Sequence, residues 1–164
     1  MRTIVLESIA AYPLWQIEAA ATAAVRQLVS VATGEGVLDS IWHTYGMVQN
    51  FMPAMLPAMQ AARQQKGELD FEAINRLHVP VALASMLALL AVIVLAARSP
   101  RFAELGPLAV TTAVAILANA AVCGVLANPH DRYGARIVWI ATLVVALVPW
   151  LSMSRNPLDR SALT

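Results

Sequence analysis

The densest run of chemistry-bearing residues in the chain is Asn128-Pro129-His130-Asp131-Arg132-Tyr133-Gly134-Ala135-Arg136. His130 and Asp131 side by side can handle a proton, because histidine changes charge near neutrality. Arg132 and Arg136 stand four apart, so they share a face if a helix begins early in this run. Two such guanidinium groups can hold a phosphate or a carboxylate through paired hydrogen bonds. The plainer reading is a turn, with Asp131 paired to an arginine and Pro129 and Gly134 shaping the reversal. His130, Asp131, Arg132 and Arg136 therefore form the expected anion or lipid-headgroup site, and no residue is assigned a catalytic role.

Other spacings carry less. Met52, Met55 and Met59, with His43 nearby, have the soft ligands that suit Cu(I). No second Met/His cluster continues such a route, so a soft apolar face is the better reading. In Trp42-His43-Thr44-Tyr45-Gly46 the histidine and tyrosine are two apart and do not face each other on a helix. His78 stands just before Val79-Pro80. Cys123 is the single cysteine, which excludes a disulfide framework and any multi-cysteine metal site. Phosphate-loop, nucleophile-elbow, zinc-protease and dinucleotide motifs are absent. The expectation is a chain with no cofactor and no metal, leaning away from an enzyme.

The elements that position these residues follow from composition. The 164 residues are 59% hydrophobic and 13% charged, against about 25% charged in an ordinary soluble domain. That balance excludes disorder. Lys and Arg number 11 and Asp and Glu 10, a net charge of +1, so no basic field exists to hold nucleic acid. A membrane-spanning helix needs roughly 20 mostly apolar residues. Residues 79–97, 107–127 and 137–153 meet or approach that length without a charge. The sequence thus predicts an all-α integral membrane fold, with three transmembrane helices in residues 79–153, an amphipathic helical region in 1–78 and a short tail in 154–164. Pro80 is expected in the first turn of its span, and Trp139 and Trp150 near the ends of theirs.

The second span contains Thr111, Thr112, Asn119 and Cys123, and its Ala120 and Gly124 make a small-xxx-small pair. Small residues let backbones approach, and an intramembrane amide seeks a partner on another helix. Asn119, Ala120 and Gly124 are accordingly read as helix-packing residues. Uncharged spans weigh against an ion-coupled carrier.

Residues 1–78 hold seven acids and five bases. Ile17, Ala20, Ala21, Ala24, Leu28 and Val31 fall on one helical face, with Glu18, Arg26 and Gln27 placed elsewhere. Gly34 and Gly36 are expected to end that helix, and Asp39 or Ser40 to cap the next. Ile41, Tyr45, Val48, Met52, Met55 and Met59 then recur at helical spacing, interrupted by Pro53 and Pro57. With no Lys or Arg between Ile41 and Ala62, this stripe is expected to pack on protein rather than on anionic lipid. Asp70 can cap a short helix through Leu77.

The runs Leu69-Asp70-Phe71-Glu72-Ala73-Ile74-Asn75-Arg76-Leu77-His78-Val79-Pro80 and Cys123-Gly124-Val125-Leu126-Ala127-Asn128-Pro129-His130-Asp131-Arg132-Tyr133-Gly134-Ala135-Arg136-Ile137-Val138-Trp139 resemble the C-terminal part of an alpha-proteobacterial polytopic membrane protein family. The resemblance covers nearly the whole chain, Ala61 to Gln65 included, and brings no assigned activity. Longer members are loosely similar to multi-spanning glycosyltransferases that use lipid-linked sugars. The acids expected to act in such enzymes lie upstream of any residue here, so no catalytic residue carries over. The resemblance implies a bacterial inner-membrane location and a longer parent protein, and the acid Glu7 where a signal sequence would stay apolar agrees with that. Arg98, Arg101, Arg155 and Arg160 against Arg132 and Arg136 place the C-terminus in the cytoplasm. The expected role is a non-catalytic membrane component whose partners are the bilayer and other transmembrane helices, self-association included. A transferase part and a small transporter or channel subunit are the alternatives.

Overall fold

A computed structural model describes residues 2–37 and 42–154. Its elements, in order, are α1 (Arg2–Ala11), α2 (Pro13–Val29), α3 (Trp42–Phe51), α4 (Leu56–Ala61), α5 (Glu72–Arg98), α6 (Leu105–Ala127) and α7 (Asp131–Ser154). Short 3-10 turns at Pro53–Met55 and Pro100–Phe102 precede α4 and α6. No strand occurs among the described residues. The fold is all-α, and α5, α6 and α7 are each long and apolar enough to cross a membrane.

The three spans pack along seams of small and branched residues. Ala82, Ser85, Leu89, Val92 and Ala96 of α5 are buried, as are Ala109, Thr112, Ile116, Ala120 and Gly124 of α6. On α7 the buried positions are Gly134, Val138, Ala141 and Val144. Steps of three and four keep one face on the neighbouring helix, and small residues allow the close approach that drives packing in lipid. Thr142 donates to Ser85 Oγ at 3.0 Å, joining α7 to α5 across the seam. At the far end Arg101 donates to the Ser152 carbonyl, tying the α5–α6 turn to the end of α7.

Helix boundaries differ from the expected ones in two places. The short helix through Leu77 and the first span are one continuous α5, with Pro80 in its interior rather than in its first turn. Proline removes one backbone hydrogen bond, a loss that a helix flanked by packed neighbours tolerates. Asp70 accepts the Glu72 N–H at 2.8 Å at the start of this helix. The third span begins at Asp131, so Arg132 and Arg136 are helical.

A fourth helix belongs to the bundle. Helix α2 lies along the C-terminal half of α6, with its Ala23 backbone against Gly124: a Cβ built on that glycine would stand 2.7 Å from Ala23 O. Leu28 packs on the cluster containing Leu89 and Ile116. Pro13 occupies the first turn of α2, where its missing N–H costs nothing. Glycine does not end α2. Helix ends at Val29 with Ser30 as its cap, and Gly34 (φ +99°) and Gly36 (φ +85°) shape the following turn.

Helices α3 and α4 pack chiefly on each other, with Tyr45 donating to Gln65 Oε1. Of the expected apolar stripe, Tyr45, Val48 and Met59 are half-buried and Met52 and Met55 exposed, with Met47 and Phe51 exposed beside it. Proline explains the interruption: Pro53 opens the 3-10 turn and Pro57 sits in the first turn of α4. The expected caps Asp39 and Ser40, Ile41 and the tail 155–164 lie outside the described residues, as does the His43 side chain.

Candidate functional site

Polar groups gather where α2 meets the beginnings of α5 and α7. Helix α2 runs towards the bundle interior in the same direction as α7. Gln27 lies at His130, the Ser30 carbonyl at Gly134, and Val31 in one buried cluster with Ala82 and Val138. The chain then turns back, so that Ala32 meets Asp131 and Glu35 meets His130 and Arg132. This is a re-entrant turn: Leu28 and Val29 reach the level of Leu89 and Ile116, and Val31, 2% exposed, packs at Ala82 and Val138 on the way back. Ala82 stands three residues beyond Val79, where the uncharged stretch begins, or about 5 Å along the helix axis.

A non-helical backbone at that depth has N–H and C=O groups that neither lipid nor the helix can satisfy. Side chains do so instead. Gln27, 1% exposed, takes both groups of one peptide residue: its Nε2 donates to His130 O at 2.9 Å and its Oε1 accepts from His130 N at 2.8 Å. Asn75 does the same for Thr33, accepting from its N–H at 2.8 Å and donating to its C=O at 2.9 Å. Asp131 Oδ1 accepts the Ala32 N–H at 3.0 Å. His78 Nε2 donates to Val31 O at 2.9 Å, the only direction possible towards a carbonyl. No buried side-chain nitrogen or oxygen among the described residues lacks a partner.

Glu35 closes the outer edge of this clasp. Its Oε2 accepts the Arg132 backbone N–H at 2.9 Å and its Oε1 accepts His130 Nδ1–H at 2.6 Å. Glu35 thereby supplies a carboxylate to the N-terminus of α7, where unpaired N–H groups and the helix dipole favour negative charge. The Arg132 N–H holds the Glu35 carboxyl below its ordinary value near 4.5, helped by His130 and the Arg132 charge and opposed by partial burial.

The expected anion site is thus distributed over several tasks. His130 pairs with Glu35 rather than with Asp131, and Asp131 holds the Ala32 backbone. Arg132 lies over the Tyr133 ring at 5.0 Å and donates to its hydroxyl at 3.2 Å. Arg136 is exposed, its carbonyl accepting Trp139 Nε1–H at 2.8 Å. No described contact brings the two guanidinium groups together. The packing residues lie at helix contacts: Asn119 Nδ2 donates to Tyr133 O on α7 at 3.3 Å, and Ala120 and Gly124 are buried. Among the described residues no group of three or more His, Cys, Asp or Glu could hold a metal ion.

Four contributors lay outside the sequence reading of this site: Gln27, Glu35, Asn75 and His78. Three had a signal. Asn75 and His78 continue the α5 seam outward from Ala82 at the same steps of three and four. Gln27 stands four residues before the buried Val31 and three after Ala24, on the apolar face rather than off it. Glu35 had none, because only the tertiary turn brings it to α7. The chain matches no family model, no characterised protein and no solved structure.

Proposed function

We propose that this chain is a non-catalytic, helix-packing component of a bacterial inner membrane, with its C-terminus in the cytoplasm. The observation that supports it is the fate of the polar residues at the bundle end. Gln27, Asn75, His78 and Asp131 are committed to the backbone of the same chain, and Glu35 and His130 to each other. Such a site holds an element in place, and its two carboxylates, Glu35 and Asp131, are taken up by backbone N–H groups of α7 and of the turn. The outward faces of α5 and α6 are largely apolar: Leu87, Leu90 and Val94 on α5, and Val114, Leu117 and Val122 on α6, are all exposed. These faces suit neighbouring helices as well as acyl chains.

A photo-crosslinking amino acid at Val114, Leu117 or Leu90 in cell membranes tests the reading. Adducts to a second copy or to another membrane protein are expected. Adducts to lipid alone from all three positions would contradict it. In the same membranes a cysteine in the tail, with Cys123 replaced, should resist an impermeant thiol reagent in intact cells, and ready labelling would reverse the orientation.

A further inference from the structure

Beside the clasp, on the opposite flank of α2, lies a groove of about 440 Å³ between that helix and the α6–α7 turn at Asn128-Pro129. Trp15, Glu18, Thr22 and Arg26 line it along α2, at successive steps of three, four and four. They form one helical stripe. Glu18 and Arg26 are exposed and bond through their side chains to no described residue, so two opposite charges face the same groove unpaired. Trp15 is 76% exposed, an unusual position for a large aromatic in water and an ordinary one at a bilayer interface.

The order of these groups matters. Because α2 descends from Pro13 towards the buried Val31, Arg26 lies nearer the hydrocarbon and Glu18 and Trp15 nearer the water. The charges are separated by eight residues, about 12 Å along the axis. Helical side chains lean towards the N-terminus, so the long Arg26 reaches back along the groove towards Glu18. A phospholipid with an amine headgroup has the same order: chains innermost, then phosphate, then ammonium. We propose that this groove binds the headgroup of a zwitterionic, phosphoethanolamine-type phospholipid. Arg26 pairs with the phosphate through its planar fork, and Asn128 and Thr22 offer hydrogen bonds beside it. Glu18 accepts from the ammonium N–H groups, and the Trp15 ring lies available to the same cation. The acyl chains then run down beside Val25 and Val29, both exposed on α2. An anionic lipid fits worse, because Glu18 would face its headgroup.

The proposal rests on the membrane reading, and one experiment separates the two. Detergent-purified protein is mixed with equal amounts of dioleoyl phosphatidylethanolamine, phosphatidylcholine and phosphatidylglycerol, and bound lipid is counted by native mass spectrometry. Phosphatidylethanolamine should be retained preferentially. Arg26→Gln should lower retention of all three by about tenfold, the loss of one charge-assisted pair. Glu18→Gln should abolish the preference over phosphatidylglycerol while leaving phosphate-dependent binding, and Glu18→Lys should reverse it. Both residues are exposed, so circular dichroism should show unchanged helix content. Equal retention of the three lipids by the native chain, or a preference untouched by both substitutions, would overturn the proposal while the protein still sediments with membranes after carbonate washing. Release by carbonate would instead overturn the membrane reading itself.

Discussion

Gln27 shows how little a residue type says without its surroundings. A glutamine between Arg26 and Leu28 looks like part of a solvated face, yet it is buried and pairs with both peptide groups of His130. Leaving a buried donor or acceptor unmade costs about 1–3 kcal/mol each. Gln27→Ala, which orphans one of each, should destabilise the chain by several kcal/mol, read from unfolding in mixed micelles. Loss of under about 0.5 kcal/mol would mean that water replaces the amide. Glu35 acts at the edge of the same cluster, and its effect depends on pH. Its carboxyl is held below the ordinary value near 4.5 in the folded chain. Its contribution is therefore complete above that value and is lost as pH falls through the lowered one. Amide protection of residues 32–37, corrected for the intrinsic pH dependence of exchange, should fall across that acid window in the native chain. In Glu35→Gln it should not change there, and an identical pH response in the two would remove Glu35 as the cause. His130 and Arg132 face this carboxylate, and the substitution isolates its part from theirs.

At the scale of elements, close approach decides. Helix α2 crosses α6 at Gly124 and meets α7 at Gly134, whose position would put a Cβ well inside contact distance of the Ser30 carbonyl. Gly134→Ala must push the two backbones apart, costing about 1–3 kcal/mol or more. Gly46 in α3 has nothing within 4 Å, so Gly46→Ala should stabilise its helix by up to about 1 kcal/mol. Comparable effects at the two sites, measured by the same unfolding assay, would contradict the docking of α2. The spans themselves were legible because an uncharged stretch of sufficient length has few other homes. Their outer turns were not. Asn75, His78 and Asp131 continue the buried seams of α5 and α7, but polar residues at a membrane edge read as surface until a partner backbone is known to lie over them. Pro80 misled for a related reason, since a proline that marks a helix start in water sits inside a helix here.

For the whole molecule, the difficult part was the place of α2. It carries Glu18 and Arg26 and is 17 residues long, which hides it from any search for a span. Its apolar face could be read from spacing, but what that face covers could not. The re-entrant turn depends on contacts 42 to 103 residues apart, from Thr33 with Asn75 and Val31 with His78 to Glu35 with the start of α7 and Gln27 with His130. Long-range pairing of this kind leaves no local pattern. It also engages three of the four residues of the expected headgroup site, through His130, Asp131 and the Arg132 backbone.

The place of α2 in the bundle turns on whether Val31 reaches Val138 in the membrane-inserted protein. The direct measurement uses Val31→Cys and Val138→Cys together, in a chain with Cys123→Ser and a protease site inserted in the loop 63–67. Membranes are treated with a short bifunctional thiol reagent, and the loop is then cleaved. If the re-entrant turn is present, the two fragments stay joined, and the cysteine at position 31 is shielded from an impermeant reagent. Fragments that separate, with position 31 freely labelled, would mean that α2 lies outside the bundle.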